Sequence, residues 1–449
     1  MTLIRQVRPA LTLVAAASML SACSFFDGPS KPKNAYDDEG RERISILTTT
    51  QYLDADNAIA GIPVAVPAPF LNKNWAQAGA NASHAAQHLS LDDNLSQVWR
   101  VSVGSGDRDY ERIISSPVAA DGKVFAVDVE GTVSAFTLET GRSLWSTELA
   151  PTNGDRSDLG YGGGASYANG NVYATSGYGF AVALDADTGR EMWRYAAGVP
   201  LRGAPTIAEG KVFVTTHDNL IVALDEQSGE LLWEHVGIAE TAGMLGAASP
   251  AYENGALVHA LSSGELIALR AANGRVLWQD ALTSSQRLTP LATLADIDAF
   301  PVIDSGKVYA VSHGGRMVAI DMRSGERSWE ADIAGVNTPW IAGNFAFLAT
   351  IDSQVVSMTL GDGRIRWVTQ LQRFLNQEKR RDLIKWNGPV LAGDRLVLTS
   401  SHGYVVTLSP YTGEVLSGTK MPSGSTTSPI VVDNTLIVLT NNGDLVAYR

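Results

Sequence analysis

The 449-residue sequence contains a single cysteine, Cys23, so no internal disulfide can form. Charge is scarce too. Charged residues make up 18% of the chain, and 34 Lys and Arg stand against 47 Asp and Glu, a formal charge of −13. An acidic surface repels phosphate backbones and anionic headgroups, which excludes nucleic acid as a partner and adhesion through a basic patch. The N-terminal apolar run, Leu11 to Leu20, falls short of the roughly 20 residues needed to span a bilayer. Catalytic signatures are also missing. His84, His88, His217, His235, His259, His313 and His402 show no His-x-His or His-Glu-x-x-His spacing, so no metal site is expected. No Gly-x-Ser-x-Gly elbow and no Gly-Lys-Ser/Thr phosphate loop appears either.

What is present begins with an export signal over residues 1–22: Arg5 and Arg8, the apolar run, then small residues. It ends in Leu20-Ser21-Ala22-Cys23, which resembles the bacterial lipobox, so Cys23 is expected to carry lipid as the mature N-terminus. Residue 24 is Ser rather than Asp, which favours sorting to the outer membrane. Loss of Arg5 and Arg8 takes the formal charge from −13 to −15. Residues 24 to about 70, rich in Pro, Asp and Ala, read as a flexible tether, giving a 23–71 anchor segment ahead of a folded 72–449. Within the latter, Asn72 to His84 is expected to pack on the closing blade through Trp75.

A length near 430 would ordinarily mean two or three domains, but internal repetition overrules it. An apolar strand, a turn ending in Gly, three residues and Trp recur as AFTLETGRSLW (135–145), ALDADTGREMW (183–193), ALDEQSGELLW (223–233), ALRAANGRVLW (268–278), AIDMRSGERSW (319–329) and SMTLGDGRIRW (357–367). A seventh copy, TLSPYTGEVLS (407–417), has Ser417 in place of Trp. The glycines at Gly141, Gly189, Gly229, Gly274, Gly325, Gly363 and Gly413 lie 38 to 51 residues apart. Ahead of each copy come two more strands with period-2 alternation, joined by Asp/Glu-Gly turns. Four antiparallel strands per repeat make a propeller blade. Trp99 has no preceding blade, while residues 428–449 supply three strands and stop at the equivalent of the Ala-Leu-Asp position. Joined, they complete an eighth blade, so the fold class is an all-β, eight-bladed propeller closed by its N- and C-terminal strands. The repeated residues have structural work. Gly supplies positive φ for the turn, and Trp99, Trp145, Trp193, Trp233, Trp278, Trp329 and Trp367 pack between blades with indole N–H groups seeking acceptors.

In such a ring the first-to-second and third-to-fourth turns share one face, and the second-to-third turns and blade-to-blade loops share the other. From Trp to the next blade's opening Pro the connection is 10 residues after Trp329 and 12 after Trp193, but 22 after Trp367 and 23 after Trp278. Variation concentrated on one face marks it as the working surface. The long loops are 151–164, 282–300 and 371–386. The last carries Lys379, Arg380 and Arg381, which would face an acidic partner or simply solvent. The second sets Leu288, Leu291, Leu294 and Ile297 beside Asp296 and Asp298, expected as exposed apolar residues rimmed by charge.

The Ala-x-Asp-x-x-x-Gly-x-x-x-Trp repeat resembles that of pyrroloquinoline-quinone dehydrogenases, also eight-bladed. That likeness implies a quinone held against an adjacent-cysteine disulfide, over calcium, with an Asp base. A chain with one cysteine cannot supply the disulfide, and it is shorter than those enzymes, so the quinoprotein dehydrogenase stands as the alternative and no cofactor is expected. Lipobox, tether and closed repeats together resemble the BamB family over residues 23–449. The resemblance implies a non-catalytic scaffold, lipid-anchored at the periplasmic face of the outer membrane. It implies binding to the POTRA domains of BamA and to other BAM components, and possible contact with unfolded outer-membrane clients. Two of the family's partner-binding segments have counterparts. Val199-Pro200-Leu201-Arg202-Gly203 precedes Pro205, with Val199 where the family has Leu, and Asp296-Ile297-Asp298 precedes Pro301. On that likeness Leu201 is an apolar anchor, Arg202 a charge-assisted contact, and Asp296 and Asp298 acceptors. The other reading is that these residues order their own loops.

Overall fold

The computed structural model describes residues 53–108, 111–150, 162–201, 203–238, 248–282 and 296–449. Eight four-stranded antiparallel sheets follow one another, and the first strands of neighbouring blades meet around a common axis. Blade 1 runs Val118–Ala120, Lys123–Val127, Thr132–Thr137 and Ser143–Glu148 from axis to rim. Inner strands such as Val118–Ala120 are wholly buried and rim strands such as Ser143–Glu148 are not, as expected where each sheet packs against two neighbours. Among the described residues the single helical element is the 3-10 turn Asn57–Ile59.

Blade 8 is assembled from both ends. Gln97–Ser102 is its rim strand, against Asp444–Tyr448, Thr435–Leu439 and Ile430–Val432. Trp99 lies opposite Ala447, and Ser96 and Arg449 exchange backbone bonds of 2.8 and 3.0 Å. Closure thus removes the open edge that two loose end segments would leave.

Trp and Gly of the repeat meet across blade junctions. Each indole N–H donates to a backbone carbonyl of the following blade: Trp99 to Leu138, Trp145 to Ala186, Trp193 to Glu226, Trp233 to Ala271, Trp278 to Met322, Trp329 to Leu360 and Trp367 to Pro410, at 2.8 to 3.0 Å. The ring then lies on that blade's turn glycine. A Cβ added at Gly189 would stand 2.5 Å from Trp145 Cε3, and its φ of +72° is also a glycine conformation. Opposite the indole within its own sheet sits a small residue, as with Ala183 across from Trp193. Seven junctions are locked this way. Between blades 7 and 8 there is no lock: Ser417 bonds Thr407 of its own blade at 2.7 Å, and Ser96 and Arg449 pair where other blades carry the glycine turn.

A second device ties the ring together. Residues 72–89 make one circuit of the axis on the face of the first-to-second turns, touching each blade in order. Asn72 O accepts from Asp433 N (blade 8, 2.7 Å), and Trp75 pairs with Ala119 (blade 1, 2.6 and 2.8 Å). Ala76 O accepts from Tyr167 N (blade 2, 2.6 Å), and Gln77 brackets Ile207 N and O through its side-chain amide (blade 3, 3.0 and 2.9 Å). Ala82 O takes Tyr252 N (blade 4, 2.6 Å) and Ser83 O takes Ile303 N (blade 5, 2.9 Å). Gln87 O takes the Trp340 indole (blade 6, 2.7 Å), and Leu89 N reaches Leu391 O (blade 7, 3.0 Å). This clasp saturates inner-strand groups that would otherwise face the channel. Trp75, expected on the closing blade, instead pairs with blade 1 and stacks on Trp340 of blade 6 at 6.0 Å, while Asn72 reaches the closing blade. Residues 53–71 also contact the ring, through Leu53 to Gln354, Asp56 to Arg364 and Ile62 to Arg366.

Candidate functional site

Blade-to-blade loops and second-to-third turns share the face opposite the clasp. There four of the loops are latched to the blade they lead into by a backbone bond from its turn: His217 N to Pro200 O at 2.8 Å, His313 N to Asp296 O at 3.1 Å, Ser401 N to Lys385 O at 2.9 Å and Asn441 N to Gly424 O at 2.7 Å. His217 and His313, which recur in these turns, thus serve through their main-chain N–H groups. Among the described residues no cluster of three His, Cys, Asp or Glu side chains could hold a metal.

The two predicted partner segments fall on this face, two blades apart. Val199 is half-buried, and Leu201 is fully buried in the apolar cluster between blades 2 and 3, with its N–H on Ser176 O at 3.1 Å. Arg202 lies outside the described residues, as do Cys23, Leu288, Leu291 and Leu294. Asp296 and Ile297 are buried and Asp298 is half-buried. Leu201 and Ile297, which the sequence reading turned outward, therefore point into the fold and hold the loops in shape. Among the described residues of those segments, Val199, Pro200 and Asp298 stay partly accessible. Burial, and then the charge of Asp296, push the Asp298 carboxyl up to about 7. Loop 371–386 folds into a hairpin, Phe374–Asn376 with Arg381–Leu383, and holds Lys379, Arg380 and Arg381 in solvent.

Sequence reasoning missed what lies between these loops. Among the described residues the channel along the axis is stopped at one end by the clasp and opens toward the loop face, a blind well of about 1030 Å³. Trp75, Gly79 and His84 of the clasp form its floor, and Asp107, Arg112 and Lys385 stand at its mouth. His84 Nδ1 lies 2.7 Å from Pro301 O, which can only accept, so Nδ1 carries the proton; burial pulls the ring's pKa down to about 4 and leaves it neutral. The sole sequence signal for the floor was Trp75, a large aromatic outside the repeat.

Comparison with known proteins agrees with this architecture. The profile of the family described as "Outer membrane protein assembly factor BamB" matches residues 82–157 and 129–369. A protein of that name from Salmonella typhimurium is 30% identical over 355 residues, 78% of this chain and 88% of the relative. The crystal structure of BamB from Moraxella catarrhalis superposes with a TM-score of 0.63 at 20% identity, covering 79% of this chain and 98% of that one. Quinohemoprotein alcohol dehydrogenase from Comamonas testosteroni reaches a TM-score of 0.64 at 14% identity, covering 88% and 82%, a likeness of fold alone. With repeats, ring closure and a relative matched over 88% of its length in agreement, the chain belongs to the BamB family of outer membrane protein assembly factors.

Proposed function

We propose that this protein is a non-catalytic scaffold of the outer-membrane β-barrel assembly complex, docking through its blade-to-blade loop face on the POTRA domains of BamA. In this reading Cys23 carries the lipid that holds it at the periplasmic side of the outer membrane, and it assists folding and insertion of outer-membrane proteins. The observation that carries the reading is that Pro200 and Asp296, one from each segment, lie on the loop face with their carbonyls bonded to the second-to-third turn of their own blades. A latched loop loses little freedom on binding, which favours a docking surface. Val199 and Arg202 would meet the partner on one side, and Asp298 would accept from its backbone or basic groups on the other. Leu201 and Asp296 act behind them as positioning residues. A quinoprotein dehydrogenase fits the fold but not this chain, whose one cysteine is Cys23.

The test is a pull-down of the mature protein with the BamA POTRA domains of the same organism, beside Arg202→Glu and Asp298→Arg. Retention of the wild type with loss in both variants supports the docking face. Equal retention of all three overturns it.

A further inference from the structure

The axial well has a chemistry that loop docking leaves unused. Trp75, Trp340 and Phe300 line it together with Asp298. The rings are held by their own packing, Trp75 on Trp340 at 6.0 Å and His84 on Phe300 at 5.2 Å. Asp298 has no cation to pair with among the described residues, and its Oδ1 has no hydrogen-bond partner there. The groups facing it are Asp296 on its own segment, His84 on the floor, and Asp107, Arg112 and Lys385 across the mouth. Asp107 is already answered, since Arg112 stands 3.9 Å away and Lys385 also acts on it. His84 is neutral. Asp298 is therefore the one described acid on the well that is left without a counter-charge.

Aromatic faces attract organic cations through the ring quadrupole, and a carboxylate beside them fixes orientation by a charge-assisted hydrogen bond. We propose that the blind well is a binding site for an organic cation, a guanidinium or an alkylammonium group, held between the Asp298 carboxylate and the aromatic floor. Two sources present that chemistry: a free small amine or guanidine, and an Arg or Lys side chain of a protein docked on the same face. The site goes beyond the docking reading, because a free cation needs no docked protein.

The test is isothermal titration of the mature protein with methylguanidinium and, separately, with acetyl-Gly-Arg-Gly-amide, at pH about 8 and about 6. Saturable binding of at least one probe is expected, weakened about tenfold in Asp298→Asn and in Phe300→Leu, and unchanged in Glu139→Gln on the opposite face. Affinity should rise with pH as the carboxyl ionises. Tighter binding of the peptide assigns the site to a presented side chain, and equal binding assigns it to a free cation. Asp298→Asn is close to isosteric, and circular dichroism checks that it folds. Absence of saturable binding by both probes up to about 100 mM, or equal binding by Asp298→Asn, overturns the proposal. A negative titration beside a positive pull-down refutes the well alone.

Discussion

Seven blade junctions and the eighth hold together by different means. At the seven, a Trp of one blade lies on the turn glycine of the next and donates to its carbonyl, so both partners are written into the repeat. At the junction of blades 7 and 8 neither exists, since Ser417 replaces Trp and the receiving turn is replaced by the paired segments at Ser96 and Arg449. The clasp crosses this gap. It leaves blade 7 through Leu89, passes the Asp92 and Asp93 carbonyls to Arg395, and enters blade 8 at Ser96, having begun its circuit on blade 8 at Asn72. A local lock repeated seven times is thus completed by one non-local strap, which also stops the channel.

That contrast can be broken most severely by removing the strap. A chain beginning at residue 93 is expected to show the largest loss. Hydrogen exchange should quicken in Gln97–Ser102 and Val415–Lys420 while Leu231–Val236, between locked blades, stays protected. Uniform exchange across the ring would deny the eighth junction its special dependence. Next comes a lock itself. Trp193→Ala removes a buried indole and its bond to Glu226 O, and is expected to lower unfolding free energy by about 3–5 kcal/mol in urea titration. Gly189→Ala presses a methyl onto Trp145 and strains the turn, with an expected loss of about 1–3 kcal/mol by the same measurement. The smallest effect is expected from Ser417→Trp. An added indole there has no glycine turn to lie on, so the melting temperature should not rise, whereas a rise would mean that blade 8 can receive a lock.

A pH effect sharpens the other side of the molecule. The Asp298 carboxyl titrates near 7 in the fold, above its unfolded value. Its contribution to stability is therefore full below about pH 4 and is lost as pH rises toward 7. Asp298→Asn should flatten that slope in denaturant titrations made across the window.

The repeat carried the fold in the sequence because each repeated residue has a contact that tolerates little else: a glycine under an indole, a small residue opposite it. Blade number and closure followed from counting Trp99 and the last three strands. The clasp was illegible for the opposite reason. It binds blades 1, 2, 4 and 7 through main-chain groups, which any sequence possesses, and the polar side chains that add to its hold, Asn72, Asn74, Gln77, His84, Gln87 and His88, recur at no period. The loop segments lie between blades, as their sequence position implies, but the direction of their side chains was not legible. Leu201 and Ile297 lie in irregular backbone with no period to say which way they point, and tertiary packing turns both inward. The well combines residues from the clasp and several blades, so no stretch of sequence announces it.

The most direct measurement is hydrogen exchange of the full chain with and without the BamA POTRA domains. Docking on the loop face is expected to slow exchange in segments 199–203 and 296–300 and leave the opposite-face turns at 186–190 and 226–230 unchanged. Slowing at those turns, with the loop segments unaffected, would contradict the account.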